Sequence, residues 1–263
     1  MRKATIIFLT LLLFFVSCKD GKQTPDVSGI KVNLQSQRFE KDFFSIDTNN
    51  VPASFPLLQQ KYPVFFADFI QNILGLSVAE DGSKAQAAIK LFLRDYHIVK
   101  DTADKVFADF SKIENEVKQG IRFAKHYFPA YHAPEKIITF IGPLDAIFQT
   151  PTGKTGDVIT QDALAVGLQL HLGSEASLYQ SQAAQSLFPK YVSAKFSPQY
   201  IPVNCLKNIV DDIYPPNPND KTLLDFCIDK GKRLYLLDKF MPETPDTLKI
   251  GYTANQLTGC YKN

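Results

Sequence analysis

The chain has 263 residues, with 29 Lys and Arg against 27 Asp and Glu, 21 Phe, 11 Tyr and no Trp. A formal charge of +2 supplies neither the basic patch that nucleic acid needs nor a polybasic membrane surface, which argues against both classes. The aromatic load points to a packed core rather than disorder, in one large domain or two small ones.

Arg2 and Lys3 precede an apolar run from Ala4 to Val16, broken only by Thr10. A bilayer-spanning helix needs about 20 apolar residues, so this shorter run has the form of a secretory signal. Phe15-Val16-Ser17-Cys18 is similar to a lipoprotein signal motif. Cleavage before Cys18 would make it the N-terminal residue, its thiol carrying a lipid, with palmitate among the acyl groups expected, and two or more chains anchor far better than one. Ordinary secretion and an uncleaved anchor are the alternatives. Removing residues 1–17 leaves 27 basic against 27 acidic residues, so the mature chain is close to neutral. An Asp directly after the cysteine retains lipoproteins in the inner membrane of some bacteria. Lys19 stands there and Asp20 one place later, which favours the outer membrane. The remaining cysteines are Cys205, Cys227 and Cys260, an odd number that permits at most one bridge.

The expected organisation is a signal peptide over 1–17, a polar tether over 18–29 and a domain over 30–263. Ile30 to Leu34 alternates with period two and predicts a strand, and residues 38–44 are mixed in period. Pro52 to Gln60 and Pro63 to Leu74 predict helices, the second with Phe65, Phe66, Phe69, Ile70 and Ile73 on one stripe and Gly75 as its stop. Lys84 to Tyr96 predicts a helix with Ala88, Leu91 and Phe92 inward. Thr102 to Phe128 predicts one long helix or two with a break, on the steps Val106, Phe110, Ile113, Val117, Ile121 and Ala124, ended by Pro129. Ile137 to Ile141 predicts a strand, 145–148 a strand or turn, and Pro151 to Asp157 a Gly-rich turn.

Gln161 to Leu172 predicts a helix. So do Ile201 to Ile213, with Pro202 in its first turn, and Leu223 to Phe240, with Gly231 as a place for a bend. Pro215 and Pro218 break the chain between the last two. Thr253 to Gln256 opens a further helix, and the sequence stops soon after it, so either more residues or an altered final reading frame is expected there, with a frayed tail as the alternative. The fold class expected is α+β: a mostly helical single domain with a small sheet.

No motif rises to a catalytic or metal centre. His-Glu-x-x-His, which places two ligands one helical turn apart, is absent. His97, His126, His132 and His171 form no such pair, and His171 fits a satisfied core histidine. Gly153-Lys154-Thr155 lacks the upstream glycine of a phosphate loop and fits a tight turn. There is no G-x-S-x-G and no Cys-x-x-Cys, and Asp211 and Asp212 are adjacent on a helix and point apart. No catalytic, cofactor or metal residue is therefore expected, and Cys18, as a lipidation site, stands by itself.

Several blocks carry a resemblance. They are V-S-G-I-K-V, R-F-E-K-D-F-F-S-I-D, K-Y-P-V-F-F-A-D-F-I-Q-N-I-L-G, F-I-G-P-L, D-A-L-A-V-G-L-Q-L-H-L-G, T-L-L-D-F-C-I-D-K-G-K-R-L-Y-L-L-D-K-F-M-P and I-G-Y-T-A-N-Q-L. In this order they span most of the chain, and it resembles the GldB family of gliding-motility lipoproteins of the Bacteroidota. The resemblance implies a non-enzymatic cell-envelope lipoprotein, anchored in the bilayer through Cys18, that supports gliding or the associated secretion machinery through protein partners. Members usually continue past the last block into a Trp-rich helical part. Here Thr258-Gly259-Cys260 stands where a tryptophan-cysteine pair is expected.

The family is also distantly similar to zinc-dependent proteases of the zincin kind. That comparison sets Ile201 to Ile213 in place of the metal helix, without a histidine, and Lys230-Gly231-Lys232 near the third ligand, without its glutamate. It implies a degenerate zincin-like shell. An envelope hydrolase related to zinc metallopeptidases and a peptide- or glycan-binding lipoprotein are the competing functions.

Overall fold

The computed structural model describes residues 24–77, 82–219 and 222–262. The signal run and Cys18 lie outside the described residues. Strands β1 (Gln35–Arg38), β2 (Lys136–Phe140), β5 (Val158–Ile159) and β6 (Leu164–Gly167) form a four-stranded sheet in the order β1-β2-β6-β5. The first three neighbours run parallel, and β5 returns antiparallel to β6. Strands β3 (Phe148–Thr150) and β4 (Gly153–Thr155) make a separate hairpin.

The helices are α1 (Phe39–Phe44), α2 (Phe55–Lys61), α3 (Phe65–Asp68), α4 (Gly82–Val106), α5 (Ser111–Tyr127), α6 (Gln182–Leu187), α7 (Lys190–Ser193), α8 (Ile201–Ile213), α9 (Leu223–Phe240), α10 (Asp246–Ile250) and α11 (Ala254–Lys262). The domain is mostly helical around these two small sheets. No helix among the described residues is long and apolar enough to cross a membrane.

Both faces of β2 and β6 are buried. Ile138, Phe140 and Ala165 face a cluster built from Phe39, Phe43, Phe65 and Phe69, while Ile137, Leu164 and Val166 face a second cluster with Val117, Ile121, Leu206 and Ile209. In the first cluster Phe39 meets Phe69 edge-on at 4.7 Å and Phe65 at 5.0 Å. Such pairs contribute about 1 kcal/mol each beyond their buried area. A π-helical turn, Phe69–Ile73, continues α3, and Gly75 at φ 64° ends it where a side chain would be strained.

On the opposite face α5, α8 and α9 pack on one another. Gly120 of α5 allows the close approach: a Cβ there would lie 2.7 Å from the Leu206 side chain.

Several expectations shift against this frame. The alternation of 30–34 is real in burial, with Leu34 in the core, but ladder pairing begins only at Gln35. Residues 39–44 are helical. The segment 161–172 is not a helix. It contains strand β6 and a short 3-10 turn, Leu168–Leu170. A strand buried on both faces reads as a continuous apolar run and carries no period-two signal.

The inward face of α4 is Ala85, Ile89, Leu93, Val99 and Ala103. Ala88 and Phe92 are half-buried and Leu91 is exposed, because α1 and the turns Val51–Ser54 and Leu168–Leu170 meet the helix on a face displaced from the predicted stripe. The stretch 102–128 is two helices. The break at 107–110 puts Phe107 and Phe110 in the core and leaves Val106 exposed. Helix α9 runs through Gly231 without interruption. Cys205, Cys227 and Cys260 are free thiols.

Candidate functional site

Helix α8 is apolar around most of its circumference. Its polar residues Asn204, Lys207, Asn208 and Asp211 fall at steps of three and four and so form one stripe. The stripe faces the β3–β4 hairpin and the turn at Gly156 and Asp157. Asp211 accepts from the Thr152 amide at 3.2 Å and its hydroxyl at 2.9 Å, which pins the tip of the hairpin. The Gly153-Lys154-Thr155 stretch is therefore strand β4 of a tight hairpin, and no helix starts there.

Asp157 sits at the centre, 1% exposed. Its Oδ1 accepts from the Gly167 amide at 3.0 Å, and its Oδ2 accepts from His171 Nε2 at 2.9 Å and from Asn204 Nδ2 at 2.8 Å. The Asp157 carbonyl accepts from Asn208 Nδ2 at 3.2 Å. His171 is 2% exposed, and its Nδ1 lies 3.4 Å from the Ser197 carbonyl oxygen. His171 is thus the satisfied core histidine that its apolar surroundings predict, although it follows a 3-10 turn rather than a helix.

This pair has the outline of a catalytic Asp–His dyad, in which the second ring nitrogen activates a hydroxyl or thiol. Here the second nitrogen faces a backbone carbonyl. The Cys205 thiol is fully buried, and desolvation followed by the Asp157 charge pushes its pKa well above the ordinary thiol range. A thiol so protonated is a poor nucleophile. The arrangement ties β6, the hairpin and α8 together.

Asn204 and Asn208 occupy the spacing that two histidines take in His-Glu-x-x-His, and Cys205 stands where its glutamate would be. Both amides are spent on Asp157. Among the described residues, no group of three or more His, Cys, Asp or Glu is placed to hold a metal ion. Lys230 donates to the Pro151 carbonyl, and the Lys232 ammonium lies 6.0 Å from the Tyr214 ring. The remaining histidines sit elsewhere. His97 is 3.4 Å from Asp101 on α4, His126 meets Tyr127 edge-on at the end of α5, and His132 lies in the loop that follows.

Beside the Asp157 network opens a cavity of about 530 Å³. Lys154, Lys195 and Lys207 line it together with Asn204 and His171, and no Asp or Glu does. Burial, and then the ammonium groups of Lys195 and Lys230, push the Lys207 amine down to about 8.

Sequence reasoning singled out neither Asp157 nor Lys207. The usable signal was the narrow polar stripe on an otherwise apolar helix, since a polar residue that cannot reach solvent needs a partner.

Helix α9 is joined to the same region through Arg233, which is 2% exposed. Arg233 donates to Asp211 at 2.7 Å, to Asp229 at 2.7 Å and to the Tyr214 carbonyl at 2.7 Å. Asp212, by contrast, accepts from the Tyr131 hydroxyl at 2.8 Å, so the two adjacent carboxylates do point apart.

No curated protein and no solved structure matches the chain. A family model described as gliding motility protein GldB matches residues 20–263. A match over that span shows that the chain belongs to the GldB family of gliding motility proteins.

Proposed function

We propose that this chain is a lipid-anchored, non-enzymatic envelope protein that supports gliding, or the secretion machinery coupled to it, through protein contacts. The family match over residues 20–263 carries the reading. The geometry agrees with it. Among the described residues no hydroxyl or thiol hydrogen-bonds to His171, whose second nitrogen faces the Ser197 carbonyl, and the asparagines of α8 close the spacing that a metal helix would use. Cys18 is the acylated residue, and Lys19 after it directs the protein to the outer membrane. The first half of α9 exposes Leu223, Leu224, Phe226 and Ile228, which is apolar surface of the kind that protein contacts use.

Deletion of the gene should abolish colony spreading. Restoring it with Cys18→Ser should leave the protein unlabelled by a palmitate analogue and fail to restore spreading. Crosslinked pull-down from membranes should recover envelope proteins. Normal spreading of the deletion strain, or stoichiometric zinc with proteolysis by the purified chain, would sink the reading.

A further inference from the structure

The cavity next to Asp157 has a one-sided charge. Elsewhere, lysines withdrawn from solvent are met by carboxylates: Lys100 by Asp104 at 2.5 Å, Lys118 by Glu114 at 2.6 Å and Lys249 by Asp238 at 2.5 Å. The ammonium groups of Lys195 and Lys207 have no hydrogen-bond or ion-pair partner among the described residues. They come from different elements, Lys207 from the middle of α8 and Lys195 from the turn after α7. The Lys195 ammonium lies 2.8 Å from where a Cβ on Gly251 would be, so the side chain runs close over Gly251, which also lines the cavity.

Asp211, one turn along α8, draws Lys207 toward its charged form, but its oxygens are already engaged by Arg233 and Thr152. Two cations of like sign in a half-buried space repel one another, and a buried charge without a counter-ion is costly.

Thr152 and Thr155 also line the cavity, and the side across from the hairpin is apolar or aromatic, with Leu170, Phe188, Phe196 and Tyr200. A volume of about 530 Å³ falls in the range of small-molecule sites, which pair an apolar lining with a few convergent polar groups. An anion between the two ammonium groups supplies the missing counter-charge, and the apolar wall covers whatever the anion is attached to.

We propose that this cavity binds a small molecule with a carboxylate or phosphate on an apolar body, its anionic end held between Lys195 and Lys207. This site is independent of the contact role proposed above, and either can fail without the other.

The test is calorimetric titration of the full chain in neutral maltoside micelles, with micelles alone as the blank. The probes are 4-phenylbutyrate, phenyl phosphate, inorganic phosphate and the uncharged 4-phenylbutanol. The expected result is saturable binding of 4-phenylbutyrate, phenyl phosphate or both. Whichever binds assigns the headgroup. Lys207→Met and Lys195→Met should each weaken that binding about tenfold, the scale of one charge-assisted contact. The alcohol and inorganic phosphate should bind about tenfold more weakly than the better acid.

Circular dichroism confirms that each variant is folded, and Lys195→Met, nearer the rim, serves if Lys207→Met does not fold. The proposal is overturned if neither acid binds, if the alcohol binds as tightly as the acids, or if folded variants keep full affinity.

Discussion

Helices α8 and α9 are neighbours in sequence and in space, and they use apolar residues in opposite ways. In α8, Ile201, Val203, Cys205, Leu206, Ile209 and Val210 are all buried, and the polar stripe is also turned inward toward the hairpin. In α9 the buried residues are Arg233, Leu237 and Phe240, all in its second half, while Leu223, Leu224, Phe226 and Ile228 stand in solvent. The number of apolar residues therefore does not predict how a helix is held. The first is held by burial on most of its circumference, with Asp212 on its exposed side. The second is held by a charged clamp at its middle and apolar contacts at its end.

The sharpest way to break this contrast is to remove the clamp. Arg233→Met leaves the carboxylates of Asp211 and Asp229 without their cation and the Tyr214 carbonyl without its donor. Breaking a buried pair from one side costs about 3 kcal/mol or more. A fall of that size in urea denaturation is expected, with new proteolytic cleavage near α9. A loss under about 1 kcal/mol would mean that the clamp behaves like a surface ion pair and that Leu237 and Phe240 hold α9 unaided.

A smaller effect of opposite sign is expected on α8. The Lys207 amine in the folded chain is pushed down to about 8 from its ordinary 10.5. The unfolded chain therefore binds more protons between these values, and stability rises with pH across that window. Below the window the folded state carries the full cost of the buried charge. The full difference corresponds to about 3 kcal/mol; Lys207 keeps part of its exposure to solvent, which screens the charge, so the ligand-free Lys207→Met variant should be about 2 kcal/mol more stable than the parent at pH 7. The gap should shrink as the pH rises from 8 to 10.5. Thermal melts of both proteins at pH 7 and pH 10 read this directly, and a pH-independent gap would remove the charge from the explanation. A residue that weakens the empty fold while lining a cavity fits a binding group better than a structural one.

The same two helices show what was legible in the sequence. Both were bounded correctly, because their ends carry local chemistry. Pro202 sits in the first turn of α8, and Thr222 and Asp225 form a reciprocal cap on α9. The strands were harder. β6 is apolar on both faces and imitates a helix. β1 reads Gln-Ser-Gln-Arg and owes its place to partners far along the chain, with Ser36 donating to Glu114 and Arg38 to the Phe107 carbonyl. The site was the least legible. Asp157 and His171 are 14 residues apart, and Asn204 is 47 from Asp157. Their meeting depends on how β6 and α8 cross, which no local spacing records. What local spacing did show was the lack of a His-Glu-x-x-His pair, and α8 turns that vacancy into two asparagine contacts on Asp157.

The smallest effects separate backbone chemistry from side-chain burial at the exposed start of α9. Thr222 accepts from the Asp225 amide at 3.1 Å, and the Thr222 amide donates to the Asp225 carboxylate at 2.9 Å. Thr222→Ala removes the first of these contacts and should cost about 1 kcal/mol, the usual value of a helix cap. Phe226 is 55% exposed, so Phe226→Ala deletes a large ring with little buried area and should shift stability by no more than about 0.5 kcal/mol. The smaller residue thus outweighs the larger one, because the threonine hydroxyl satisfies an amide that the helix itself leaves unpaired. Equal losses would show that Phe226 is buried in the folded chain in solution, and the contrast between α8 and α9 would then narrow to their polar residues. A cost confined to Thr222 would leave the first half of α9 as a helix held by its cap and by Arg233, with its apolar side free for contacts outside the domain.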